Sequence, residues 1–318
     1  MKNVIQTDSL EIFKNNIYLP DELGMVSNNA YLSIVTTNKC QCSCPYCINS
    51  LTDRFTDLPI DKAVNNIKKL VKKYKIKEAI LLGGEPLMHP NLLELVSRLR
   101  KESGLEMLRM TTNGLGLLSM SEEKIKKLVD KETGIQGINI SHHNEKNFMS
   151  YDKLREICNK IKEANPEIKI RINSNVWKGN LDDLVKITWH ISKISNFADE
   201  MRLSNIIKKD SFSVNPNNKD EGLEMILSDE EYEKLFTDLI NFYSSKDLTI
   251  IENKLTLGFV RYFLIPTKIP IIVNWNIDSK VSEQICENDI KNRKINTFKC
   301  LVNGEISLSW NTDNIIKL

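Results

Sequence analysis

No stretch of this 318-residue sequence reaches the ~18–20 consecutive apolar residues of a membrane-spanning helix. The first residues, Met1-Lys2-Asn3-Val4-Ile5-Gln6-Thr7-Asp8, lack the apolar core of a signal peptide. No charge of one sign dominates, because 44 Lys and Arg face 42 Asp and Glu. That balance argues against nucleic-acid binding driven by bulk charge, so no direct nucleic-acid partner is expected. An even cysteine count is missing too: seven cysteines exclude a complete disulfide framework. These absences together predict a cytoplasmic protein with no membrane partner. Internal repeats and low-complexity tracts are also lacking.

What is present is a globular composition, 41% hydrophobic and 27% charged. Strand-like and helix-like segments alternate from residue 31 to about 245. Strands are predicted at 31–36, 79–82, 107–112, 137–141, 168–173 and 200–205, and helices at 62–73, 92–99, 122–129, 154–164, 181–194 and 229–243. Connections of helical length imply parallel pairing. The fold class is therefore α/β, a partial (β/α)6 barrel of the TIM type. Residues 1–30 lie outside this rhythm as an N-terminal cap, 31–245 form the barrel, and 246–318 form a β-rich C-terminal extension that closes it. The polar segment 207–228 reads as a loop or lid, and Asn303-Gly304 as a turn.

Four cysteines fall within eight positions: Cys40, Cys42, Cys44 and Cys47. They follow the first strand at its C-terminal end, where parallel α/β folds bind ligands. Cys40, Cys44 and Cys47 have the spacing C-x3-C-x2-C. Three thiolates on a tight loop can hold three irons of a 4Fe–4S cluster and leave the fourth iron to a small molecule. The alternatives are a thiol redox switch and a structural zinc site, which needs four closed ligands. For zinc, Cys42 alternates too tightly with Cys40 and Cys44 to converge readily on one ion. Cys42, Cys158, Cys286 and Cys300 read as packing residues.

The run Cys40-Gln41-Cys42-Ser43-Cys44-Pro45-Tyr46-Cys47 resembles the radical S-adenosylmethionine (radical SAM) superfamily. Further matching motifs follow in order: Gly83-Gly84-Glu85-Pro86, Thr111-Thr112-Asn113-Gly114, Ser141, Asn173 with Gly179-Asn180, and Arg202-Leu203-Ser204. Asn173 and Gly179-Asn180 match the molybdopterin-biosynthesis and peptide-maturase branches. The resemblance covers about residues 31–206. It implies a 4Fe–4S cluster on Cys40, Cys44 and Cys47, with S-adenosylmethionine as second cofactor. The cofactor-binding residues it implies are Tyr46, Gly83, Gly84, Glu85, Asn113, Ser141, Arg171, Asn173 and Leu203. In this scheme Gly83–Glu85 receive the methionyl amine, and Arg171 or Arg202 the carboxylate. The implied activity is reductive cleavage to a 5′-deoxyadenosyl radical that abstracts hydrogen from substrate, with an electron donor such as flavodoxin or ferredoxin.

Strand periodicity adds an independent expectation. Arg171, Asn173, Asn175 and Trp177 share one face of the fifth strand, opposite Ile170, Ile172 and Val176. Arg109, Thr111 and Asn113 form a similar set on the third strand, and Asn139, Ser141 and His143 on the fourth. Buried polar groups need partners, so a lumen this polar suggests a polar ligand, with an internal salt-bridge network as the alternative. The substrate-binding candidates are His143, Asn144, Asn175, Trp177 and Arg202, with His143 and Asn175 as the catalytic pair. Only Cys286 and Cys300 lie beyond residue 246, too few for a second cluster. A small-molecule substrate is therefore expected, a polar metabolite or modified nucleobase, with a queuine-type lyase as the specific candidate. The alternative is a single-cluster peptide-modifying maturase.

Overall fold

The computed structural model describes residues 4–7, 18–21, 24–44, 47, 55–143, 149–206, 226–244, 249–255, 259–265, 269, 271–276, 294–308 and 315–318. Its strands are β1 (Val4–Thr7), β2 (Tyr18–Asp21), β3 (Gly24–Val35), β4 (Glu78–Leu82), β5 (Met107–Thr112), β6 (Gly137–Ser141), β7 (Lys169–Val176) and β8 (Glu200–Asn205), followed by β9 (Thr249–Leu255), β10 (Phe259–Ile265), β11 (Ile271–Asn276), β12 (Lys294–Cys300) and β13 (Ile306–Ser307). The helices are α1 (Ile60–Tyr74), α2 (Leu92–Glu102), α3 (Leu115–Ser119), α4 (Glu122–Leu128), α5 (Tyr151–Ala164), α6 (Leu184–Ile194) and α7 (Asp229–Ser244).

Strands β3 to β8 pair in sequence order, every pair parallel, as the expected partial barrel requires. The local reasons are visible in the chain. In α1, Val64, Ile67, Leu70 and Tyr74 are buried on one face, Asp61 sits in the first turn, and Lys72 and Lys73 in the last. Helices α5 and α6 start on Ser150 and Asp183, whose side chains accept the N–H of Lys153 and Lys186. On β7, Ile170, Ile172, Ser174 and Val176 are buried under the helices, while Arg171, Asn173 and Asn175 lie on the other, partly open face. The same alternation runs along β5 and β8. The predicted polar inner face is therefore present.

The C-terminal segment enters this sheet rather than lying over it. Strand β11 pairs parallel with β8 and continues through β10 to β9, and β12 pairs parallel with β3 at the opposite edge. An open sheet leaves unpaired N–H and C=O groups on both edges, and a strand of the same chain satisfies them. The predicted Asn303-Gly304 turn falls between β12 and β13, and the Asn66 side chain donates to the Gly304 carbonyl (2.9 Å). Strands β9 and β10 pair antiparallel. β3 begins at Gly24, so it crosses the expected boundary between cap and barrel. Residues 207–225 of the expected lid lie outside the described residues. Among the described residues, no helix is long and apolar enough to cross a membrane.

Candidate active site

The cysteine loop leaves the top of β3 and is clamped at its two ends. Leu58 N–H donates to the Thr36 carbonyl (2.9 Å), Asn38 N–H to Thr56 (2.9 Å), and the Thr37 hydroxyl to Asp57 (2.6 Å). Lys39 Nζ lies 2.5 Å from the other Asp57 oxygen. Burial pushes the Asp57 carboxyl up, but the hydrogen bonds from Lys39 and Thr37 outweigh it and hold its pKa below the usual carboxylate value. Cys40, Cys42 and Cys44 are half-buried and Cys47 is exposed, all as free thiols. Cys47 N–H donates to the Cys44 carbonyl (3.0 Å), a tight turn that brings those two together. Cys42 accepts from Asn113 Nδ2 (3.5 Å). Burial, then its neighbours Cys40, Cys44 and Glu85, push the Cys42 thiol up to about 12.

The Gly83-Gly84-Glu85 segment packs on the base of this loop. Gly84 N–H donates to Thr37 O (2.8 Å) and Glu85 N–H to Lys39 O (2.7 Å). A Cβ on Gly84 would lie 2.2 Å from the Lys39 carbonyl oxygen, and one on Gly83, at φ 140°, would lie 2.5 Å from that of Thr37. The paired glycines thus admit the cysteine loop itself. The Glu85 carboxylate is 1% exposed and filled by donors of the protein: Leu87 N–H (3.1 Å), the Thr112 hydroxyl (2.5 Å) and Asn113 N–H (2.7 Å). The side chain also ties the tops of β4 and β5 together. Burial raises its pKa against the pull of those hydrogen bonds. Thr112 and Gln41, whose amide donates to Asn113 Oδ1 (3.3 Å), belong to this junction and are not singled out by the sequence reading.

Register places the inner-face residues in levels. Ser141 is paired with Asn173, and Asn173 with Arg202. This level lies one step along the strands above Asn139 and Arg171, and Asn113 immediately follows β5. Asn173 Oδ1 is buried and has no hydrogen-bond partner among the described residues. Such an acceptor is costly unless a ligand donor meets it. Arg171 sits one level lower, with Nε 2.6 Å from Glu200. This corrects its assignment to the cofactor carboxylate, because its charge is already paired below the loop. Leu203 is corrected too: its side chain is fully buried in the apolar core, on the opposite face from Arg202.

His143 is 6% exposed, with Nδ1 accepting the Asn175 N–H (2.8 Å) and the ring meeting Trp177 edge-on at 5.7 Å. Asn180 clamps the pair, donating to the carbonyls of His143 (2.7 Å) and Asn175 (3.3 Å). Burial, then His142, lowers the His143 pKa to about 3. The ring is therefore neutral, and with Nδ1 accepting, its proton is on Nε2. Trp177, a substrate-binding candidate, is 3% exposed. Asn180 supplies the motif's physical role here, that of a loop clamp. Tyr46, Asn144 and Cys286 lie outside the described residues. Cys158 and Cys300 are buried.

The donor set fits the implied cofactors. Free thiols on one clamped loop suit iron, and the buried Asn173 acceptor at the neighbouring level suits a polar ligand. Residues 34–187 match the family model described as Radical SAM superfamily. The GTP 3′,8-cyclase of Aquifex aeolicus is 30% identical over 48% of this chain and 49% of its own length. The GTP 3′,8-cyclase of Staphylococcus carnosus is 28% identical over 72% of this chain and 71% of its own. The chain thus spans about half the length of the first of these relatives. Among solved structures, Streptococcus suis SuiB bound to precursor peptide SuiA superposes with a TM-score of 0.59 at 13% identity, covering 97% of this chain and 65% of that one, a likeness of fold.

Proposed function

We propose that the chain, whose residues 34–187 match the Radical SAM superfamily model, is an enzyme of that family that abstracts hydrogen from a small polar substrate held in the lumen. Its cofactors are a 4Fe–4S cluster and S-adenosylmethionine, which when bound supply a 5′-deoxyadenosyl radical. Cys40, Cys44 and Cys47 hold the cluster. The backbone of Gly83 and Gly84, with Asn113, Ser141 and Asn173, orients the second cofactor, and Arg202, level with Asn173, faces its carboxylate. The observation that carries this reading is the buried Oδ1 of Asn173, without a hydrogen-bond partner among the described residues, on the inner face of β7. His143 and Asn175 lie at the upper end of the lumen and contribute to holding substrate there.

The GTP 3′,8-cyclase relatives favour a nucleobase-containing molecule among small polar substrates and leave the queuine-type lyase without support. The peptide-maturase reading rests on likeness of fold alone. The test is anaerobic reconstitution. The wild type should bind about four irons per chain and form 5′-deoxyadenosine with S-adenosylmethionine and a one-electron reductant. Cys40→Ala, Cys44→Ala and Cys47→Ala should each lose both, and Cys42→Ala should keep both. Iron loss confined to Cys42→Ala would overturn the ligand assignment.

A further inference from the structure

At the N-terminal end of the lumen, away from the cysteine loop, β5 to β8 surround a pocket of about 200 Å³ lined by Arg109, Asn139, Lys169, Arg171 and Glu200. The sequence builds it by leaving out a side chain. Gly137, paired with Arg109 on one side and Lys169 on the other, faces inward, and a Cβ there would lie 3.2 Å from Arg109 Cγ. Arg109 therefore lies across β6, over the position a larger residue would fill.

The charges in this pocket do not cancel. Glu200 is taken by Arg171 (2.6 Å), and Asp199, at its rim, by Lys162 (2.7 Å) and the Ile170 N–H (2.8 Å). Arg109 Nε reaches only the thioether of Met107 (3.1 Å), a weak acceptor. Among the described residues, neither Arg109 nor Lys169 has a carboxylate partner. Two uncompensated cations around a concave site match the charge of a phosphate monoester, about −1.5 to −2 at neutral pH, and an arginine fork suits its oxygens.

The geometry points to an oxyanion site here that holds a phosphoryl group of the substrate through Arg109 and Lys169. It deepens the proposed function, because it names the substrate class: a phosphorylated small molecule anchored at the bottom of the lumen with its reacting carbon higher up. Arg171 lies two residues below Asn173 and Arg109 four below Asn113. At about 3.3 Å per residue the pocket is ~7–13 Å beneath the cofactor level, within the span of a nucleoside monophosphate.

The test uses calorimetry on the full, anaerobically reconstituted chain, with inorganic phosphate and guanosine 5′-monophosphate as probes. Phosphate should bind, and the nucleotide at least tenfold more tightly. Arg109→Gln and Lys169→Gln should each weaken both by fivefold or more. Circular dichroism checks that Arg109→Gln is folded, and Lys169, at an exposed strand end, provides the second variant if it is not. Phosphate and nucleotide binding with equal affinity would mean a site for free phosphate and would overturn the substrate assignment. No binding of either probe, or binding indifferent to both variants, would overturn the site. A chain that cleaves S-adenosylmethionine but binds neither probe leaves the radical reading standing, whereas a chain without iron that still binds phosphate sinks that reading and not this site.

Discussion

Gly84→Ala is the sharpest test of how the cysteine loop is held. The added methyl would lie 2.2 Å from the Lys39 carbonyl oxygen and 2.7 Å from that of Asn38. Both are backbone atoms, so no side chain can rotate away. The loop must retreat by roughly 1 Å, and Lys39 is bonded directly to Cys40. The shift opposes two hydrogen bonds, Gly84 N–H to Thr37 O (2.8 Å) and Glu85 N–H to Lys39 O (2.7 Å). Overpacking costs about 1–3 kcal/mol, and each weakened hydrogen bond adds up to about 1 kcal/mol. A loss of about 2–4 kcal/mol is expected, a fall in melting temperature on the order of 3–6 °C for a chain of this length. Because the displaced atoms lead into the first ligand, iron retained after anaerobic reconstitution should drop along with stability. Thermal unfolding of the cofactor-free protein and iron analysis of the loaded protein read the two effects separately. A variant with wild-type melting temperature and wild-type iron would show that the loop does not depend on this close approach.

Two further outcomes follow from buried groups. Asn173→Ala removes an acceptor that has no partner among the described residues, so S-adenosylmethionine affinity should fall by about 1–2 kcal/mol while the cofactor-free melting temperature holds or rises; a fall in both would make Asn173 a structural residue. His143 has a folded-state pKa of about 3 against about 6.5 in the unfolded chain, so the unfolded state takes up the proton first and stability is lost as pH falls from about 6.5 towards 3. Urea titrations at several pH values should show that His143→Gln lowers the proton uptake on unfolding near pH 5 by about one, and an unchanged pH slope would mean that His143 titrates normally in the folded protein.

The sequence made the barrel legible because its signals were redundant. Six apolar strand segments and six helix patterns fixed the parallel order, and period-2 alternation placed Arg171, Asn173 and Asn175 on the inner face. What it left open was the level along the strand and the partner of each group. Arg171 and Arg202 look equivalent in a face count, yet one faces Glu200 and the other is level with Ser141 and Asn173. Leu203 was placed by motif position, although its alternation with Arg202 already turned its side chain to the core. For Glu85, motif position says nothing of neighbouring loops, and its donors come from Leu87, Thr112 and Asn113. The C-terminal strands were detected as strands, but their pairing at both sheet edges has no local signature.

One signal in the sequence was available and points to how the upper lumen is kept rigid: Ser174, a polar residue on the core-facing side of β7. Its hydroxyl donates to the His142 carbonyl (2.7 Å), so its hydrogen is spent. Its contact with His190 Nε2 (2.8 Å) must then be a bond it accepts. Burial, followed by His142 and His143, keeps His190 far below its usual pKa, so the ring is neutral and its Nδ1 accepts from the Tyr151 hydroxyl (2.5 Å). Every proton in this chain has one direction. It runs from α5 through α6 and β7 to the carbonyl between Ser141 and His143, while His142 Nε2 donates to Met149 O (2.8 Å) on the other side. A buried network whose hydrogen bonds each have a fixed direction admits few alternative arrangements. It therefore fixes the backbone that presents Ser141 on one side and His143 on the other, and the two buried histidines His142 and His190 set the geometry of that face.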